Sequence, residues 1–463
     1  MKILFINLSL RPDSQVRRIP VGLAYVVTAA KKAGFDFDLV DMDIDYLSYN
    51  DLSKILEEKK YDIYAFGAIV SSFKIVKEIS EIIRKSNPQA TIIAGNSVAS
   101  SIPETLMEHT EVNIGVMGEA DETIVEILKA FQNKTDLKYV QGIFYKQEDG
   151  TVIHTEKRPV EANLDNFGFP EWEIFNVEKY YKYGDVNSNC FAGKENVNWM
   201  PLNTGRGCPY RCTFCYITVR DDKKRYRRYS KHAIVEELKR LHYKYDATFI
   251  SLWDDLTFPN RLGVKNIVNA ILELDFKIAW NAPIRGDLFR KKDIELVRKV
   301  KESGCTDLGF SLENADETIL KAIDKHLEVD RFIEQAHVLN EVGVTPLTSV
   351  IFGYPQETPQ SIKKTLDVCE EAGVYPSCGF LLALPGTPIY KTLRADGYIP
   401  NEYEYLMQIG DRQDFSLNYT TMGNEEFVSE VTKGLRELAT KQGLEFDNPL
   451  KTVHYQKPKK YKV

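Results

Sequence analysis

Residues 206–216 read RGCPYRCTFCY and place three cysteines, Cys208, Cys212 and Cys215, at the spacing C-x3-C-x2-C. In a cubane iron–sulfur cluster each iron is normally held by one cysteine thiolate. Three neighbouring cysteines therefore leave one iron free to bind a small molecule, as the open position of a catalytic zinc does. The spacing predicts a [4Fe–4S] cluster with a reactive iron. It makes these cysteines candidate metal ligands and catalytic residues.

A zinc site and a disulfide framework are less well supported by this cysteine pattern. A structural zinc site usually has two paired arms, and no second C-x-x-C pair follows the first here. A disulfide framework is typical of small secreted domains, whereas this chain has seven cysteines, an odd number, among 463 residues. The three cysteines also lie in a loop rich in Gly, Pro and Arg, which is a poor place for thiols that are simply buried.

The composition is that of an ordinary globular protein, with 43% hydrophobic and 27% charged residues. A formal net charge of −7 does not favour a nucleic-acid partner. The chain has no apolar run of about eighteen residues, so we expect no membrane span. The segment Met1–Asn7 becomes polar too early for a secretory signal. Thiols without a signal suit a reducing compartment, and we expect a cytoplasmic protein.

The first 130 or so residues alternate strand patterns with helical ones, which indicates a parallel sheet with helices on both faces. The predicted strands are Lys2–Asn7, Phe35–Asp41, Asp62–Ile69, Thr91–Ala94 and Val112–Val116, and predicted helices include Val21–Lys32 and Lys74–Ser86. The pattern then changes to a hairpin, Gln141–Lys146 with Thr151–Thr155, and an irregular connector.

From about residue 200 the strand–helix alternation returns. The predicted strands are Met200–Thr204, Thr248–Leu252, Ile278–Ala282, Asp307–Leu312, Leu347–Phe352 and Ser377–Leu382. Six such units make a partial barrel, in which reactive groups lie at the carboxyl ends of the strands, and the cysteines follow the first strand. We predict an α/β protein with a Rossmann-like parallel sheet at 1–135, a hairpin and connector at 136–195, a partial (β/α)6, TIM-like barrel at 196–395 and a small, mostly helical segment at 396–463.

The cysteine run resembles the radical S-adenosylmethionine (radical SAM) superfamily, and further matches follow in order at the strand ends. The matching runs are Ser251–Phe258, Phe310–Asn314, Phe352–Thr358 and Leu384–Tyr390. The resemblance implies that the open iron binds the amino and carboxylate groups of S-adenosylmethionine. One electron then cleaves the sulfonium to give a 5′-deoxyadenosyl radical.

The resemblance also implies which side chains bind S-adenosylmethionine near the cysteines. Phe214 stands in the aromatic position that lies by the adenine in this family, and Tyr216 follows the last cysteine. Asp254 and Asp255 look like the residues that receive the amino group. Two carboxylates in a loop also occur in solvated turns and helix caps, so a purely structural role for this pair stays open.

Two further strand ends carry candidate binding residues. Arg285 is placed to pair with the carboxylate of the substrate or of the methionyl group, or to form a structural salt bridge with Asp287. Ser311 and Glu313 lie in a run that resembles the family's Gly-x-Glu-Ser motif, with different flanking residues. The resemblance implies that they lie near the ribose. The Phe352–Thr358 run is expected to form a turn and a helix start.

A parallel sheet ahead of such a barrel resembles the B12-binding domain of cobalamin-dependent radical SAM enzymes. In that arrangement the loops after strands one, three and four surround the corrin and its nucleotide tail. The resemblance implies that cobalamin is bound by Pro20, Val21, Gly22, Ser71, Ser72, Gly95, Asn96, Ser97, Gly118 and Glu119. The small residues among them would let the backbone approach the buried tail.

Other uses of the first sheet are less well supported. A dinucleotide site needs Gly-x-Gly-x-x-Gly after the first strand, and Asn7–Pro12 contains no glycine. A phosphorylated receiver domain needs acidic pairs near the first strand, and none is there. Many cobalamin proteins supply a histidine from Asp-x-His-x-x-Gly, but no histidine precedes His109. The resemblance therefore implies a lower face of cobalt that is open or filled by another residue, and Val70–Phe73 is the candidate segment.

The resemblance implies a cobalamin-dependent radical SAM methyltransferase that uses a [4Fe–4S] cluster, S-adenosylmethionine and cobalamin. The 5′-deoxyadenosyl radical would abstract hydrogen from an unactivated carbon, which would then take a methyl group from methylcobalamin. A second hypothesis is a non-methylating rearrangement, cyclisation or ring contraction, and a third is a non-catalytic cobalamin or iron–sulfur sensor. The expected partners are a small-molecule, peptide or protein substrate and an electron donor such as flavodoxin or ferredoxin.

Overall fold

The computed structural model describes residues 1–12, 16–183, 197–219, 226–410 and 417–446. The strands of its first part are β1 (Ile3–Asn7), β2 (Asp38–Asp41), β3 (Ile63–Gly67), β4 (Thr91–Gly95), β5 (Ile114–Val116), β6 (Ile143–Lys146) and β7 (Val152–His154). The helices are α1 (Val21–Lys32), α2 (Tyr49–Glu58), α3 (Phe73–Ser86), α4 (Ser97–Ser101), α5 (Pro103–His109), α6 (Asp121–Asn133) and α7 (Val177–Tyr183). Across the described ranges, no helix combines the length and the apolar character needed to cross a membrane.

The first seven strands form one sheet in the order β2-β1-β3-β4-β5-β6-β7. The pairs from β2 to β5 are parallel, as the strand–helix alternation predicts. Side chains alternate along β1, so that Ile3 and Phe5 pack on one face and Leu4 and Ile6 on the other. Burial on both faces explains why this strand is a continuous apolar run.

The predicted hairpin forms, but it belongs to the sheet and not to a separate connector. β6 pairs antiparallel with β5, and β7 with β6. Ile143 and Phe144 are fully buried, so the hairpin covers the edge that β5 would otherwise expose. The sheet therefore runs to His154, beyond the predicted limit at residue 135. The predicted limit at residue 195 lies outside the described residues.

The second part of the chain begins with a strand just before the cysteines. Its strands are β8 (Trp199–Leu202), β9 (Gly205–Arg206), β10 (Arg227–Arg228), β11 (Phe249–Leu252), β12 (Ala279–Pro283), β13 (Cys305–Gly309), β14 (Thr345–Leu347), β15 (Ser349–Phe352) and β16 (Ser377–Phe380). Its helices are α8 (Lys231–Tyr245), α9 (Arg261–Leu272), α10 (Ile294–Glu302), α11 (Glu317–Ala322), α12 (Val329–Val342), α13 (Pro359–Glu371), α14 (Pro388–Ala395), α15 (Glu402–Gln408) and α16 (Asn424–Lys441). The short strands β9 and β10 form an antiparallel ribbon.

The long strands of this part form two parallel sheets, ordered β14-β13-β12-β11-β8 and β15-β16. The predicted fifth strand, Leu347–Phe352, is divided at the buried Thr348. Beyond the break, the backbone amides of Leu312 and Glu313 donate to the carbonyl of Ser349, so the second sheet continues the first. The six predicted strand positions are thus all present and parallel, as a partial barrel requires.

One hydrophobic core runs through both parts of the chain. Residues of β1 and α1 share it with residues of β8, β11 and α8. Trp172, in the connector, is 1% exposed, and its Nε1 donates to Glu237 of α8 at 3.4 Å. On the other face of the first sheet, α15 packs on α3, and Glu402 accepts a hydrogen bond from Thr105. The two sheets are therefore fixed to each other on two sides.

We expect Gly115→Ala to destabilise the protein, because a Cβ at Gly115 would lie 1.9 Å from the ring of its cross-strand partner Phe144. Overpacking of this kind typically costs about 1–3 kcal/mol. Denaturant unfolding measures the loss. Gly309→Ala is the matched control, since a Cβ there meets no atom within 4 Å. Equal stability of the two variants would contradict the pairing of β5 with β6.

Candidate functional site

A cavity of about 990 Å³ lies between the carboxyl ends of the two sets of strands. From the first sheet it is lined by residues that follow β1, β3, β4 and β5, and from the second part by residues that follow β8 and β11. Strand carboxyl ends are where parallel sheets bind their ligands. Ordinary ligand sites hold about 300–1,000 Å³, so this cavity has room for a large cofactor.

The three predicted cluster ligands lie in the loop that follows β9. Cys212 is buried, and Cys208 and Cys215 are half-buried. Burial raises the pKa of all three thiols, that of Cys215 to about 12, and the proximity of Cys212 adds to the rise at the other two. A bound metal must therefore displace their protons. Within the described ranges, no three His, Cys, Asp or Glu side chains converge as ligands of a single metal ion.

Asp254 holds the backbone in front of the cysteine loop. Its buried carboxylate accepts hydrogen bonds from the amides of Thr204 and Gly205 at 2.7 and 2.9 Å, and from the Thr204 hydroxyl at 2.7 Å. Burial raises the pKa of Asp254, and these bonds offset the cost of taking the carboxylate out of water. The predicted contact of Asp254 with S-adenosylmethionine is therefore corrected to a role in positioning the loop.

Asp255, the neighbouring carboxylate, faces the cavity. One oxygen accepts a hydrogen bond from the amide of Gly207 at 3.1 Å, and the other accepts one from the hydroxyl of Tyr216 at 2.7 Å. Tyr216 is 40% exposed and begins the 3-10 turn Tyr216–Val219, and both side chains line the cavity wall. Phe214 is half-buried and packs against the hydrophobic core.

Arg285 forms the structural salt bridge that was the alternative to ligand binding. Its Nε donates to Asp287 at 3.1 Å, and its Nη2 donates to two backbone carbonyls at 2.8 Å each. The guanidinium also lies over the ring of Tyr210, 3.9 Å from its centroid. Since Tyr210 stands within the cysteine loop, Arg285 supports that loop. The predicted contact of Arg285 with a ligand carboxylate stays a prediction.

Glu313 and Ser311 lie beyond the end of β13, close to the cysteine loop. Glu313 is buried, has a φ of +63° and accepts a hydrogen bond from Lys325 at 3.0 Å. A φ in this left-handed region is uncommon for a residue other than glycine and often marks a functional site. Burial is the main cause of the raised pKa of Cys212, and the charge of Glu313 adds to it. Ser311 accepts a hydrogen bond from Ser349 at 2.8 Å.

The Phe352–Thr358 run forms the predicted turn and helix start. The hydroxyl of Thr358 accepts a hydrogen bond from the amide of Ser361 at 3.1 Å and caps α13. Glu357 is 1% exposed and accepts a hydrogen bond from Asn314 at 3.2 Å. Burial raises the pKa of Glu357 to about 7. This buried network supports the barrel strands next to Glu313.

Most of the predicted cobalamin-binding residues line the cavity. They are Pro20, Val21, Gly22, Gly95, Asn96, Ser97, Gly118 and Glu119. Gly22 and Gly118 border open space, because a Cβ at either position would meet no heavy atom within 4 Å. Asn96 has a φ of +72°, and its side chain accepts a hydrogen bond from the amide of Ser97 at 2.6 Å, which fixes the turn after β4.

Ser71 and Ser72 are not among the residues that line this cavity. They lie in the 3-10 turn Val70–Ser72, which leads into the fully buried Phe73. Val70 is buried as well, so its side chain and that of Phe73 draw the turn into the hydrophobic core. Ile69 instead lines the cavity and is 37% exposed. The contacts of Ser71, Ser72 and the Val70–Phe73 segment with cobalamin therefore stay predictions, which the lining of the cavity does not support.

Glu119 lines the cavity and also forms ion pairs with arginines of the ribbon that β9 and β10 form. Arg206 Nη1 lies 3.1 Å from Glu119 and 2.8 Å from Asp121, and Arg227 forms a further ion pair with Glu119. Sequence reasoning missed both arginines and Asp121, because their partners lie more than eighty residues away along the chain. The one available signal was the position of Arg206 within the cysteine run.

The lining of the cavity suits a large cofactor with a buried polar tail. Gly67 and Gly95 end adjacent strands without side chains, so the backbone there is open to close approach. The hydroxyl of Ser101 is buried and has no hydrogen-bond partner within the described residues, so it can bind a ligand atom. No histidine from the described ranges lines this cavity.

Two family profiles match the chain. The profile of the Radical SAM superfamily matches residues 202–369, and that of the B12 binding domain matches residues 15–128. The first match covers the cysteines and most of the barrel strands, and the second covers most of the sheet that faces them.

The chain is also similar to individual methyltransferases. It is 27% identical to an uncharacterized methyltransferase of Pyrococcus horikoshii, over 84% of this chain and 83% of the relative. It is 24% identical to cytidylyl-2-hydroxyethylphosphonate methyltransferase of Streptomyces wedmorensis, over 88% of this chain and 84% of the relative. The structure of the radical S-adenosylmethionine methyltransferase TsrM from Kitasatospora setae superposes with a TM-score of 0.65 at 17% identity, over 86% of this chain and 77% of that one. At this identity the likeness to TsrM shows the fold.

We expect Glu357 to make the stability of the protein fall as the pH rises. Its pKa is raised from 4.5 to about 7 in the folded state. Between these values the folded protein binds more protons than the unfolded chain, so stability present below the lower pKa is lost toward the higher one. Glu357→Gln removes this titration. From about pH 5 to about pH 8 its Tm should therefore rise relative to wild type, measured by thermal unfolding of the metal-free protein.

Glu273→Gln is the control for this experiment, because Glu273 is an exposed carboxylate with one surface ion pair. Its Tm should follow that of the wild type at every pH. Parallel pH profiles for Glu357→Gln and wild type would contradict the raised pKa.

Proposed function

We propose that this chain, which matches the profiles of the Radical SAM superfamily and the B12 binding domain, is a cobalamin-dependent radical SAM C-methyltransferase acting on an unactivated carbon. The observation that carries the proposal is the single cavity between the two sheets. Gly22, Gly95 and Gly118 bound it on one side, and Tyr216 and Asp255 bound it on the other, next to the cysteines. One space therefore offers room for a methyl carrier and a substrate beside the place where a radical forms.

When bound, the cluster and S-adenosylmethionine supply a 5′-deoxyadenosyl radical that takes a hydrogen atom from the substrate, and cobalamin supplies the methyl group. The protein holds and orients these groups. In this proposal Cys208, Cys212 and Cys215 hold the cluster. Asp254 and Arg285 keep the cysteine loop in place through their hydrogen bonds and ring contact.

We propose that Asp255 and Tyr216 orient S-adenosylmethionine from the cavity side. The carboxylate of Asp255 is already fixed by two hydrogen bonds, and a fixed carboxylate pairs well with an ammonium group. Phe214 offers an aromatic face for the adenine. Ser311 and Glu313 offer oxygen atoms for the ribose, and the ion pair of Glu313 with a lysine neutralises its buried charge.

On the opposite wall we propose that the backbone around Gly22, Gly95 and Gly118 receives cobalamin. The missing side chains let the ligand approach the strand ends closely. The unpartnered hydroxyl of Ser101 is available to the polar tail. Ile69 presents an apolar side chain at this wall, so we expect the described part of the first sheet to supply no histidine ligand to cobalt.

The remaining assignments follow from this arrangement. We assign the B12-binding domain to residues 1–154, the connector to 155–195, the radical SAM barrel to 196–395 and a C-terminal segment to the rest.

The substrate is a small molecule or a peptide or protein side chain. Two electrons for each methyl transfer come from a reduced flavodoxin or ferredoxin. One S-adenosylmethionine leaves as S-adenosylhomocysteine, and another leaves as methionine and 5′-deoxyadenosine.

We expect Cys208→Ala to abolish the formation of 5′-deoxyadenosine by the anaerobically reconstituted and reduced protein, because one iron loses its thiolate. Mass spectrometry of the nucleoside measures the loss. Cys378→Ala removes a buried thiol of β16, outside the cysteine loop, and should keep the wild-type rate. Production of 5′-deoxyadenosine by Cys208→Ala at the wild-type rate would sink the cluster assignment.

The products formed with candidate substrates distinguish methyl transfer from a rearrangement and from sensing. Equal amounts of S-adenosylhomocysteine and 5′-deoxyadenosine, with a substrate heavier by one methyl group, support methyl transfer. A converted substrate with 5′-deoxyadenosine but no S-adenosylhomocysteine indicates a rearrangement or cyclisation. A reduced wild-type protein that leaves S-adenosylmethionine intact indicates a sensor.

We expect Gly22→Leu to weaken cobalamin binding at least about tenfold, because the new side chain projects into the cavity and fills part of it. The fold should persist, since Gly22 lies in α1 and leucine favours a helix. The absorbance of cobalamin retained after reconstitution measures the effect. Gly22→Ala, which adds one methyl group to open space, is the matched control. Equal retention by both variants would refute the assigned cobalamin wall.

A further inference from the structure

One arginine connects the cysteine loop with the cavity wall that the first domain forms. Arg206 ends β9 and stands two residues before Cys208. Its Nη1 and Nη2 each donate to a carboxylate oxygen of Asp121 at 2.8 Å. The Nη1 atom also donates to Glu119 at 3.1 Å. This two-nitrogen contact has a defined direction as well as strength.

Two aromatic rings also contact this guanidinium. The guanidinium carbon lies 4.6 Å from the ring centroid of Tyr25 in α1 and 4.7 Å from that of Phe167 in the connector. The side chain of Arg206 is 14% exposed. The hydrogen bonds to the carboxylates and the contacts with both rings together restrain the guanidinium.

The backbone of Arg206 is fixed from the barrel side. The amide of Gly205 donates to Asp254 at 2.9 Å, and the amide of Gly207 donates to Asp255 at 3.1 Å. These carboxylates follow β11, so the barrel holds the residues on both sides of Arg206. The main chain at the start of the cysteine loop therefore cannot shift without breaking one of these bonds.

The other end of the contact belongs to the wall of the cofactor cavity. The segment Gly118–Asp121 follows β5 and lines the cavity, and its last residue begins α6. Arg227, on the strand paired with β9, binds Glu119 as well. Direct hydrogen bonds thus join the loop that carries the cysteines to the segment that faces the other cofactor.

We propose that Arg206 is a positioning residue that fixes the distance between the cluster and cobalamin across the cavity. The inference rests on the proposed function. Hydrogen abstraction and methyl capture occur at one substrate carbon, which has to lie within reach of both cofactors. A misplacement of about 1 Å can cost about a hundredfold in rate. Arg206 acts through the cysteine loop at one end and Gly118–Asp121 at the other.

The distance itself can be measured without a substrate. In the reduced, reconstituted protein, cob(II)alamin and the [4Fe–4S]⁺ cluster each carry an unpaired spin, and pulsed EPR reports their dipolar coupling. We expect one narrow distance distribution for the wild type. Arg206→Met, which keeps the apolar contacts but removes the donors, should give a broader distribution centred at a longer distance. Arg206→Lys keeps the charge but not the two-nitrogen contact and should fall in between.

The partner residue provides an independent check. Asp121→Asn removes the charge that Arg206 binds and should broaden the distribution in the same way. Arg206→Met already removes the contact with Asp121 along with the bond to Glu119, so the double variant should be no broader than Arg206→Met alone. Fully additive broadening would show that the two residues act separately and would overturn the proposal.

Arg261→Met is the matched control, because Arg261 forms an ion pair with Asp293 at 2.7 Å within the barrel, and neither residue lines the cavity. Its distance distribution should match that of the wild type. A narrow, unshifted distribution for Arg206→Met with both cofactors bound overturns the proposal. Failure of the proposed function would appear differently, as a wild-type protein that does not retain cobalamin or cleave S-adenosylmethionine.

A second measurement applies where Arg206→Met does not retain cobalamin. Hydrogen–deuterium exchange of the cofactor-free protein reports the mobility of Ile114–Ile124, which contains the segment that Arg206 binds. Faster exchange there in Arg206→Met than in both wild type and Arg261→Met supports the proposal. Unchanged exchange overturns it.

Discussion

Ion pairs between the ribbon of β9 and β10 and the first domain, together with the hydrophobic core that both parts share, hold the two sheets in place relative to each other. Arg206 and Arg227 extend from the ribbon, and Glu119 and Asp121 receive them at the edge of the first sheet. Charges taken out of water are tolerated when they are paired in good geometry. These pairs connect the two walls of the cavity directly and, with the shared core, restrain the separation between them. The catalytic proposal depends on the same separation.

Local patterns predict most of the fold, because helices and strands of a parallel sheet are set by apolar periodicity. α1 has both predicted ends, and the six barrel strands appear in the predicted order. The division of the fifth strand at Thr348 could not be predicted from such local patterns. The sequence Leu347–Phe352 gives no sign of this break, because the break depends on how Leu312 and Glu313, beyond β13, bond to Ser349. Likewise, a hairpin sequence shows that β6 and β7 pair, but not that β5 is their neighbour.

The candidate site is predicted in part, and the exceptions have a common cause. Residue type and spacing predict that the cysteines, Asp255 and Glu313 lie close together. They do not predict which way each side chain points. Asp254 and Asp255 are adjacent and chemically identical, yet one is buried under the loop and the other faces the cavity. Arg285 turns to backbone carbonyls and a ring that only tertiary contacts supply.

The hydrophobic core shared by the two domains has a consequence for folding. Because β1 and α1 share one hydrophobic core with β8, β11 and α8, neither domain buries its apolar surface alone. Independent domains usually meet through smaller and more polar interfaces. The two halves are therefore expected to unfold in one cooperative transition, and damage to the core of either half would lower the stability of both. A B12-binding half taken from a relative would have to bring its side of this core with it.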